Sequence, residues 1–467
     1  MNEKEPDIIE IINPATGERA GTVNRCTKED VHSAIDGAED AFSGWAAKSP
    51  RERGKMLFLA AQEIRNKQVG LAELLTAEQG KPLSEAKNEI QGCAAVLEYY
   101  SSISGTVRGD FLPKSDYGYS FTVKKPLGIC GAIIPWNMPV LIMAWKTGPA
   151  LVAGNCLIVK PSSKTPLTSL KIASILHRCG IPEDVLPVVT GSGSEAGSAL
   201  AESRKIAALS FTGSAETGNF VEKLSCGTGK RLTLELGGSD PMIVCRDADV
   251  DSAVAGAVAG RFYNCGQTCT AVKRLYVMED IAEEFKRKLT EKVSQIKTGN
   301  GMMKGTKMGP LIDMEARDKT AGVIAGIQED YDAEILTGGE IPDSPDLKCG
   351  SFLEPTVITG APKDCTLFTE EIFGPVLPVA VVKNMDEAIE EANRTKFGLG
   401  ASVWTTSLKN SFEASEMLDA GIVWVNRHLK IPPEVPFGGE KESGSGRENG
   451  LCALERYMKE KTVIMTP

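Results

Sequence analysis

GICGAIIPWNMPVLIMAWKTGPALVAGNCLIV, residues 128–159, carries a single charged side chain, Lys146, over a length that could span a membrane. Prolines, glycines and asparagines interrupt it at Pro135–Pro139 and again at Gly154–Asn155. Because such residues end helices and strands, the stretch is predicted to form a strand, a helix and a second strand inside a packed core. It indicates a buried α/β fold in place of a membrane segment.

The alternation of strands and helices continues beyond this stretch. Apolar runs at residues 185–191 and 206–213 are predicted strands, and a predicted helix follows each of them, from Ser194 and from Ser214. This pattern indicates a parallel sheet with helices on both faces. Ligands of such sheets bind at the carboxyl ends of the strands. The residues expected at those ends are Lys160, Gly191, Gly213 and Ser214.

Residues 261–274, RFYNCGQTCTAVKR, fit neither the helix nor the strand period. Cys269 comes shortly before the strand-like residues 275–277, which places it on a loop that feeds a sheet, where reactive groups are usually displayed. A lone cysteine is more often a small buried hydrophobe, so the prediction of a nucleophile depends on its partners. Cys265 is interpreted as structural, with a protective disulfide to Cys269 as the alternative.

Two other stretches supply those partners. LTLELGGSD, residues 232–240, reads as a strand that delivers Glu235 just ahead of two glycines, which allow other groups to approach closely. IIPWNMP, residues 133–139, holds Asn137 in a turn between two prolines, where its amide can be a fixed donor. A cysteine nucleophile, a glutamate base and an amide donor are the components of acyl transfer through a thioester.

The chain resembles the NAD(P)-dependent aldehyde dehydrogenase superfamily. The resemblance rests on FYNCGQTC at 262–269 with Arg274 behind it, LELGG at 234–238, PWN at 135–137, FTGS at 211–214, EEIFGPV at 370–376 and PFGG at 436–439. These motifs follow the order of the family and cover nearly the whole chain. Cys269 is then expected to attack an aldehyde and form a thiohemiacetal and a thioester, with the oxyanion held by Asn137. Glu235 is expected to activate the hydrolytic water, and its presence favours hydrolysis over transfer to coenzyme A.

The resemblance also implies an aldehyde dehydrogenase-like domain organisation. A Rossmann-like cofactor-binding domain is expected at residues 1–106 and 127–236, an α/β catalytic domain at 237–445, and a small β oligomerisation arm at 107–126 and 446–467. The arm would pair residues 105–125 with the C-terminal strand 461–465 and build a homodimer or homotetramer. An internal hairpin without an oligomer is the alternative.

Cofactor contacts are expected at the strand ends and in the EEIFGPV motif: Pro135, Trp136, Lys160, Ser162, Ser163, Lys164, Gly193, Gly197, Phe211, Thr212, Gly213, Ser214, Glu371 and Phe373. NAD-preferring relatives commonly carry glutamate where this chain has Ser163. Without that carboxylate a 2′-phosphate meets no like charge, and Lys160 or Lys164 could pair with it. NADP is therefore the preferred cofactor, with NAD as the alternative.

The substrate is expected to be a small neutral aldehyde. Relatives acting on succinate semialdehyde often place arginine shortly after PWN, whereas this chain has Trp145 and Lys146. Lys146 is assigned to the catalytic group and Trp145 to the substrate site. Arg427 and His428, in the loop that lines the aldehyde entrance of the family, could bind an anion, so succinate semialdehyde is the alternative. A catalytically inactive, crystallin-like structural protein is the alternative from another class.

Composition limits the remaining possibilities. The 52 basic and 62 acidic residues give a net charge of −10, which disfavours binding to nucleic acid or to an anionic membrane. Twelve cysteines without metal-ligand spacing and only three histidines predict no metal site. Unpaired thiols and the acidic start MNEKEPD, which does not resemble a signal peptide, favour a cytoplasmic location.

Overall fold

The structure is a computed structural model that describes residues 7–466; the first six residues, on which most of the signal-peptide argument rests, lie outside this range. The α-helices are α1 (Lys28–Ala47), α2 (Pro50–Asn66), α3 (Gln68–Gln79), α4 (Leu83–Ser102), α5 (Pro139–Ala153), α6 (Leu167–Arg178), α7 (Ser198–Glu202), α8 (Ala215–Ser225), α9 (Val250–Phe262), α10 (Ala282–Ser294), α11 (Met314–Asp330), α12 (Thr366–Thr369), α13 (Met385–Asn393), α14 (Leu408–Met417) and α15 (Gly450–Arg456). The strands are β1 (Ile8–Ile12), β2 (Arg19–Asn24), β3 (Phe111–Ser115), β4 (Gly118–Pro126), β5 (Ile129–Ile133), β6 (Cys156–Lys160), β7 (Ile206–Thr212), β8 (Arg231–Glu235), β9 (Asp240–Val244), β10 (Val272–Met278), β11 (Glu334–Thr337), β12 (Thr356–Thr359), β13 (Val376–Val382), β14 (Phe397–Gly398), β15 (Gly400–Trp404), β16 (Ile422–Val425), β17 (Glu440–Lys441), β18 (Gly444–Ser445) and β19 (Met458–Met465).

The first sheet has the strand order β18-β8-β7-β5-β6, and β5 to β8 are parallel. The stretch 128–159 forms β5, α5 and β6, as predicted from its interruptions, and no helix within residues 7–466 is long and apolar enough to cross a membrane. The chain passes from β5 to β6 on one side and then to β7 on the other side of β5. This reversal creates a crevice at the carboxyl ends of β5 and β7, which is the usual ligand position in such sheets.

Two local predictions in this sheet differ from the structure, the strand entirely and the helix only in the type of its first turn. Residues 185–191 form no strand, because Pro187 has no backbone N–H for a ladder, and only Val188 bridges to Val159. The helix expected from Ser194 begins instead as a π-type turn at Gly193–Gly197, which continues into the short α7.

The second sheet, β11-β12-β13-β10-β9-β15-β16, is parallel except for β11. Its core is a separate hydrophobic cluster from that of the first sheet. Only residues 236–239 join β8 of the first sheet to β9 of the second. The carboxyl end of β8 therefore lies beside the amino ends of β9 and β10, which brings Glu235 close to the loop that carries Cys269.

The arm and the C-terminal region differ from the expected domain limits. β19 pairs with β4 along its whole length, and β3 completes a three-stranded sheet, as expected for the arm. However, β18 pairs with β8, and Phe437, Leu454 and Tyr457 pack in the core of the first sheet. Most of residues 437–458 therefore belongs with the first sheet and not with the catalytic domain or the arm.

Candidate active site

Two cavities meet at the Cys269 loop. The sheet-edge cavity, about 290 Å³, lies at the crevice of the first sheet and is lined by Pro135, Trp136, Asn137, Thr212, Gly213, Ser214, Glu235, Leu236, Gly237, Cys269, Lys319, Glu371 and Phe373. The helix-face cavity, about 740 Å³, lies between α4, α5 and the loop at 428–431. Cys269 and Asn137 line both cavities. A ligand in one cavity can therefore meet a ligand in the other at these two side chains.

The loop before Cys269 is held in an unusual backbone conformation. Asn264 and Cys265 have positive φ angles of 51° and 58°, in the left-handed region that costs energy for residues other than glycine. Gln267 compensates with three hydrogen bonds: its Nε2 donates to Asn264 O and to Pro310 O, and its Oε1 accepts from Ile312 N. This fixed loop sets the position of the cysteine two residues further on.

Asn137 is positioned by buried groups that the sequence analysis missed. Its Nδ2 donates to Gln267 O at 3.0 Å, which leaves a second N–H for a ligand. Its own carbonyl accepts from Lys81 Nζ at 2.7 Å, and Lys81 forms a fully buried ion pair with Glu89. Glu89 also accepts from Val140 N at the start of α5. The N-terminal helices, to which no chemistry was assigned, thus fix the amide donor.

Glu235 is buried at the end of β8, and neither of its carboxylate oxygens has a hydrogen-bond partner among the described residues. Burial raises the pKa of Glu235 to about 7, and the Cys269 thiol and Lys146 oppose this rise. The Cys269 thiol is close enough to lower the pKa of Glu235, although no hydrogen bond joins its sulfur to the carboxylate in this structure. A carboxylate with a pKa near neutrality is suited to accept and return protons.

Lys146 lines neither cavity, which corrects its assignment to the catalytic group. Its Nζ lies in the interior, 2.6 Å from Glu448 Oε1 and 2.7 Å from Ser210 Oγ. Its influence on the chemistry is electrostatic, because its positive charge opposes the rise in the pKa of Glu235.

The surroundings of Cys269 favour the neutral thiol over the thiolate. Burial, and next the negative charge of Glu235, raise the pKa of Cys269 well above its usual value. All twelve cysteines are free, so the structure contains no disulfide between Cys265 and Cys269. Cys265 packs in the core of the second sheet, in keeping with the structural interpretation. A base is therefore needed before Cys269 can attack.

The sheet-edge cavity brings together half of the predicted cofactor contacts. Pro135 and Trp136 follow β5, and Thr212, Gly213 and Ser214 end β7 and begin α8. The Ser214 side chain caps α8, so the amides of its first turn lie at the cavity edge, where they favour an anion. The Thr212 hydroxyl is buried without a partner beside this cavity. These features fit a dinucleotide at the crevice.

Glu371 and Phe373 reach the same cavity from the second sheet's side. Glu371 accepts from Gly238 N at 3.1 Å and pairs with the buried Lys273 at 3.1 Å. A Cβ on Gly237 would lie 2.3 Å from Glu371 Oε2, so this approach requires glycine.

Lys273 also donates to Cys269 O at 2.6 Å and was not predicted, although a lysine inside a strand of a buried sheet is an unusual signal. Lys319 on α11 was missed as well, and its sequence context gives no signal.

The remaining predicted cofactor residues do not line the sheet-edge cavity. They are Lys160, Ser162, Ser163, Lys164, Gly193, Gly197 and Phe211. Lys160 Nζ, buried at the end of β6, donates to Pro161 O, and burial lowers the pKa of Lys160 to about 8. Lys164 forms an ion pair with Asp313, so its charge is already compensated. Phe211 is buried in the core, where its ring fills the space beside Gly213.

Of the three predicted substrate residues, Trp145 and His428 line the helix-face cavity, and Arg427 does not. Arg427 is exposed. His428 Nε2 lies 2.7 Å from Thr270 O. A carbonyl oxygen can only accept, so Nε2 carries the proton. Nδ1 lies 2.9 Å from Ser402 Oγ. Burial lowers the pKa of His428 to about 4, so the ring is neutral at neutral pH. In this structure neither side chain therefore offers a positive charge to the helix-face cavity, and anion binding by Arg427 and His428 stays a prediction.

Comparisons with known proteins agree with this geometry. The sequence model of the aldehyde dehydrogenase family matches residues 1–463. The E. coli structure described as an NADP dependent enzyme is 37% identical, with a TM-score of 0.96 over 99% of this chain and 95% of that chain. Betaine aldehyde dehydrogenase from Staphylococcus aureus in complex with NAD+ is 35% identical, with a TM-score of 0.95 over 98% and 91%. Aldehyde dehydrogenase from Brucella melitensis biovar abortus is 37% identical, with a TM-score of 0.94 over 98% and 93%.

Proposed function

The chain belongs to the aldehyde dehydrogenase family, and we propose that it oxidises an uncharged aldehyde to the carboxylic acid with NADP or NAD as hydride acceptor. The observation that carries this proposal is that Cys269 and Asn137 line both cavities at their meeting point. The aldehyde would enter the helix-face cavity, and the residues of the sheet-edge cavity would hold the cofactor.

In the first step, Cys269 Sγ forms a bond to the aldehyde carbon while its proton passes to Glu235. Because the pKa of the thiol is raised, this transfer is faster with a neighbouring carboxylate, and the pKa of Glu235, about 7, is matched to neutral pH. The carbonyl oxygen becomes an oxyanion, held by the second N–H of Asn137 Nδ2 and by the backbone N–H of Cys269. Such a donor is typically worth about 10² to 10³ in rate.

In the second step, the hydrogen on that carbon leaves as hydride, and the product on Cys269 is a thioester. The bound dinucleotide supplies the two-electron acceptor for this transfer. Glu235 first releases the proton from Cys269 to solvent and then, as the carboxylate, takes a proton from water while the water oxygen bonds to the acyl carbon. The C–S bond breaks to release the acid, and Glu235 returns its proton to the Cys269 sulfur. Lys273 donates to Cys269 O and forms an ion pair with Glu371. It thereby fixes the Cys269 loop relative to Glu371, a proposed cofactor contact.

NADP remains the preferred cofactor in this proposal. Ser163 offers no carboxylate to a 2′-phosphate, and Lys160 has no acidic partner among the described residues. Lys164 supports the preference less than expected, because Asp313 already pairs with it. The similarity to an NADP dependent enzyme of E. coli points the same way, and the similarity to an NAD+ complex keeps NAD as the alternative.

The arm supports a homo-oligomer. Its three-stranded sheet exposes Phe111, Tyr117 and Ile464, which are 66%, 77% and 62% exposed, in an otherwise acidic chain. Apolar side chains at this level are typical of a surface that another subunit covers. Light scattering after gel filtration measures the mass of the assembly, and a monomer would contradict the assignment.

We retain a cytoplasmic location as part of the proposal, because the unpaired cysteines favour a reducing compartment.

The activity is tested by formation of reduced cofactor with a panel of aldehydes and with each dinucleotide. We expect acid and reduced cofactor in equal amounts. Folded protein that reduces neither dinucleotide with any aldehyde would contradict the proposal and would favour an inactive, structural role.

A further inference from the structure

The helix-face cavity is much larger than a small aldehyde requires. Its volume of about 740 Å³ lies within the range of roughly 300–1,000 Å³ found for sites that bind drug-sized ligands. An aldehyde of two or three carbons would fill only the end beside Cys269. The rest of the cavity must either hold water or bind the body of a larger substrate.

The wall of this cavity that α5 forms is apolar. Met138, Leu141, Ile142 and Trp145 lie three or four residues apart on the start of α5, so they form one stripe along the cavity. Tyr263 and the loop residues at 429 and 431 face them. Apolar walls favour the binding of a hydrocarbon chain, because both apolar surfaces leave water, and they make few hydrogen bonds to a polar ligand.

One glycine makes room in this wall. Gly92 lies in the middle of α4 and lines the cavity, where glycine in place of alanine costs a helix about 1 kcal/mol. A Cβ at this position would lie 3.1 Å from Leu141 Cδ1. The absent side chain therefore allows Leu141 to lie back against α4 and leaves the cavity open.

All charged side chains that line this cavity, except Lys430, are compensated or neutral. Arg65 is held by Glu98 through two hydrogen bonds of 2.8 and 2.6 Å, and Glu89 is paired with Lys81. His428 has both ring nitrogens engaged. Lys430, which is exposed, is the remaining lining cation among the described residues. Apart from the exposed Lys430, an anion in this cavity would meet no free positive charge, and its desolvation would oppose binding.

On the basis of the proposed function, we propose that the substrate of this site is an uncharged aldehyde with an extended apolar body, of about six or more carbons, that lies along the α5 stripe. Gly92 and Leu141 set the length that the cavity accepts. This replaces the small aldehyde expected from the sequence with a larger one of the same neutral class.

The test compares kcat/KM for ethanal, butanal, hexanal and octanal, with succinate semialdehyde as the anionic probe. If each added methylene is buried, kcat/KM rises about threefold to fourfold per CH₂ until the cavity is filled. Succinate semialdehyde should fall about tenfold or more below butanal, because its carboxylate has no partner. A flat dependence on length, or succinate semialdehyde as the best substrate, would overturn this inference while ethanal turnover still established the proposed function.

Two variants locate the effect. G92A should keep the helix stable and push Leu141 into the cavity, so that kcat/KM falls about tenfold for octanal and least for ethanal. L141A in the G92A background should restore octanal turnover, since it removes the displaced side chain. G44A is the matched control: Gly44 lies in α1 with nothing within 4 Å of an added Cβ, so the length profile should not change. Equal losses for all aldehydes in G92A, without rescue by L141A, would contradict the assigned role.

Folded protein that reduces neither dinucleotide with any aldehyde would instead contradict the proposed activity, and this inference with it.

Discussion

The two cavities that meet at Cys269 are built in opposite ways. The sheet-edge cavity is formed mainly by residues at the carboxyl ends of parallel strands, and it contains two polar groups without partners, the Thr212 hydroxyl and the Glu235 carboxylate. The helix-face cavity is formed by side chains on α4 and α5 and by two loops, and its charged side chains other than Lys430 are paired. Unpaired buried polar groups are costly, and those of the sheet-edge cavity include a carboxylate, which marks this side as the place for proton transfer. The helix-face cavity has the Thr268 hydroxyl as its unpaired buried group. The helix-face side is suited to hold hydrocarbon.

Removal of the shared nucleophile is the strongest test of this division. C269A should lower turnover by about 10⁴-fold or more, as expected when a covalent nucleophile is lost. Both cavities remain lined by their other residues, so the variant should still bind the reduced cofactor. Turnover is followed by reduced-cofactor formation and binding by calorimetry. Residual turnover within about tenfold of the wild type would show that the two ligands do not meet at this sulfur.

Replacement of Glu235 separates the two steps. E235Q should still give a single-turnover burst of reduced cofactor, followed by acid release slowed by about 10² to 10⁴, the usual contribution of a general base. Rapid mixing with excess aldehyde measures the burst and the steady state together. Steady-state turnover equal to that of the wild type would require another base.

The same variant gives a pH test. Burial raises the pKa of Glu235 to about 7, and only the carboxylate accepts a proton, so wild-type kcat should rise with pH through about 7. In E235Q this rise should be lost. A rise that persists in E235Q would assign the ionisation to another group.

Loss of the amide donor should cost less than loss of the base. N137A removes the N–H that is free to hold the oxyanion, and kcat should fall by about 10² to 10³. It also removes the bond to Gln267 O, so part of the loss could come from a displaced loop. N137D separates the two effects, because it is similar in size but cannot donate from its ionised form. A variant N137D as active as the wild type would exclude this side chain as the oxyanion donor.

The contrast between the cavities also explains what the sequence could predict. Pro135, Thr212 and Gly213 end strands, so their position at one edge follows from the alternation of strands and helices alone. The helix-face cavity gave no such signal, because Gly92 and Leu141 have the spacing of ordinary core residues. The ion pair of Lys81 with Glu89 and the position of Lys273 depend on long-range packing, which no local pattern specifies. Arg427 and His428 were predicted from the resemblance, and the burial that neutralises the histidine could not be seen in the sequence.

Cofactor choice is expected to give the smallest effect and to act on the sheet edge alone. S163E adds a carboxylate where a 2′-phosphate is expected, and two like charges about 4 Å apart in water repel by about 1 kcal/mol. The ratio of kcat/KM for NADP to that for NAD should therefore fall about fivefold or more. S162E places the same charge one residue earlier and should change the ratio less, and neither variant should alter the dependence on aldehyde length. If S163E left the ratio unchanged, the 2′-phosphate would have to lie elsewhere, and Lys160 would lose its assigned partner.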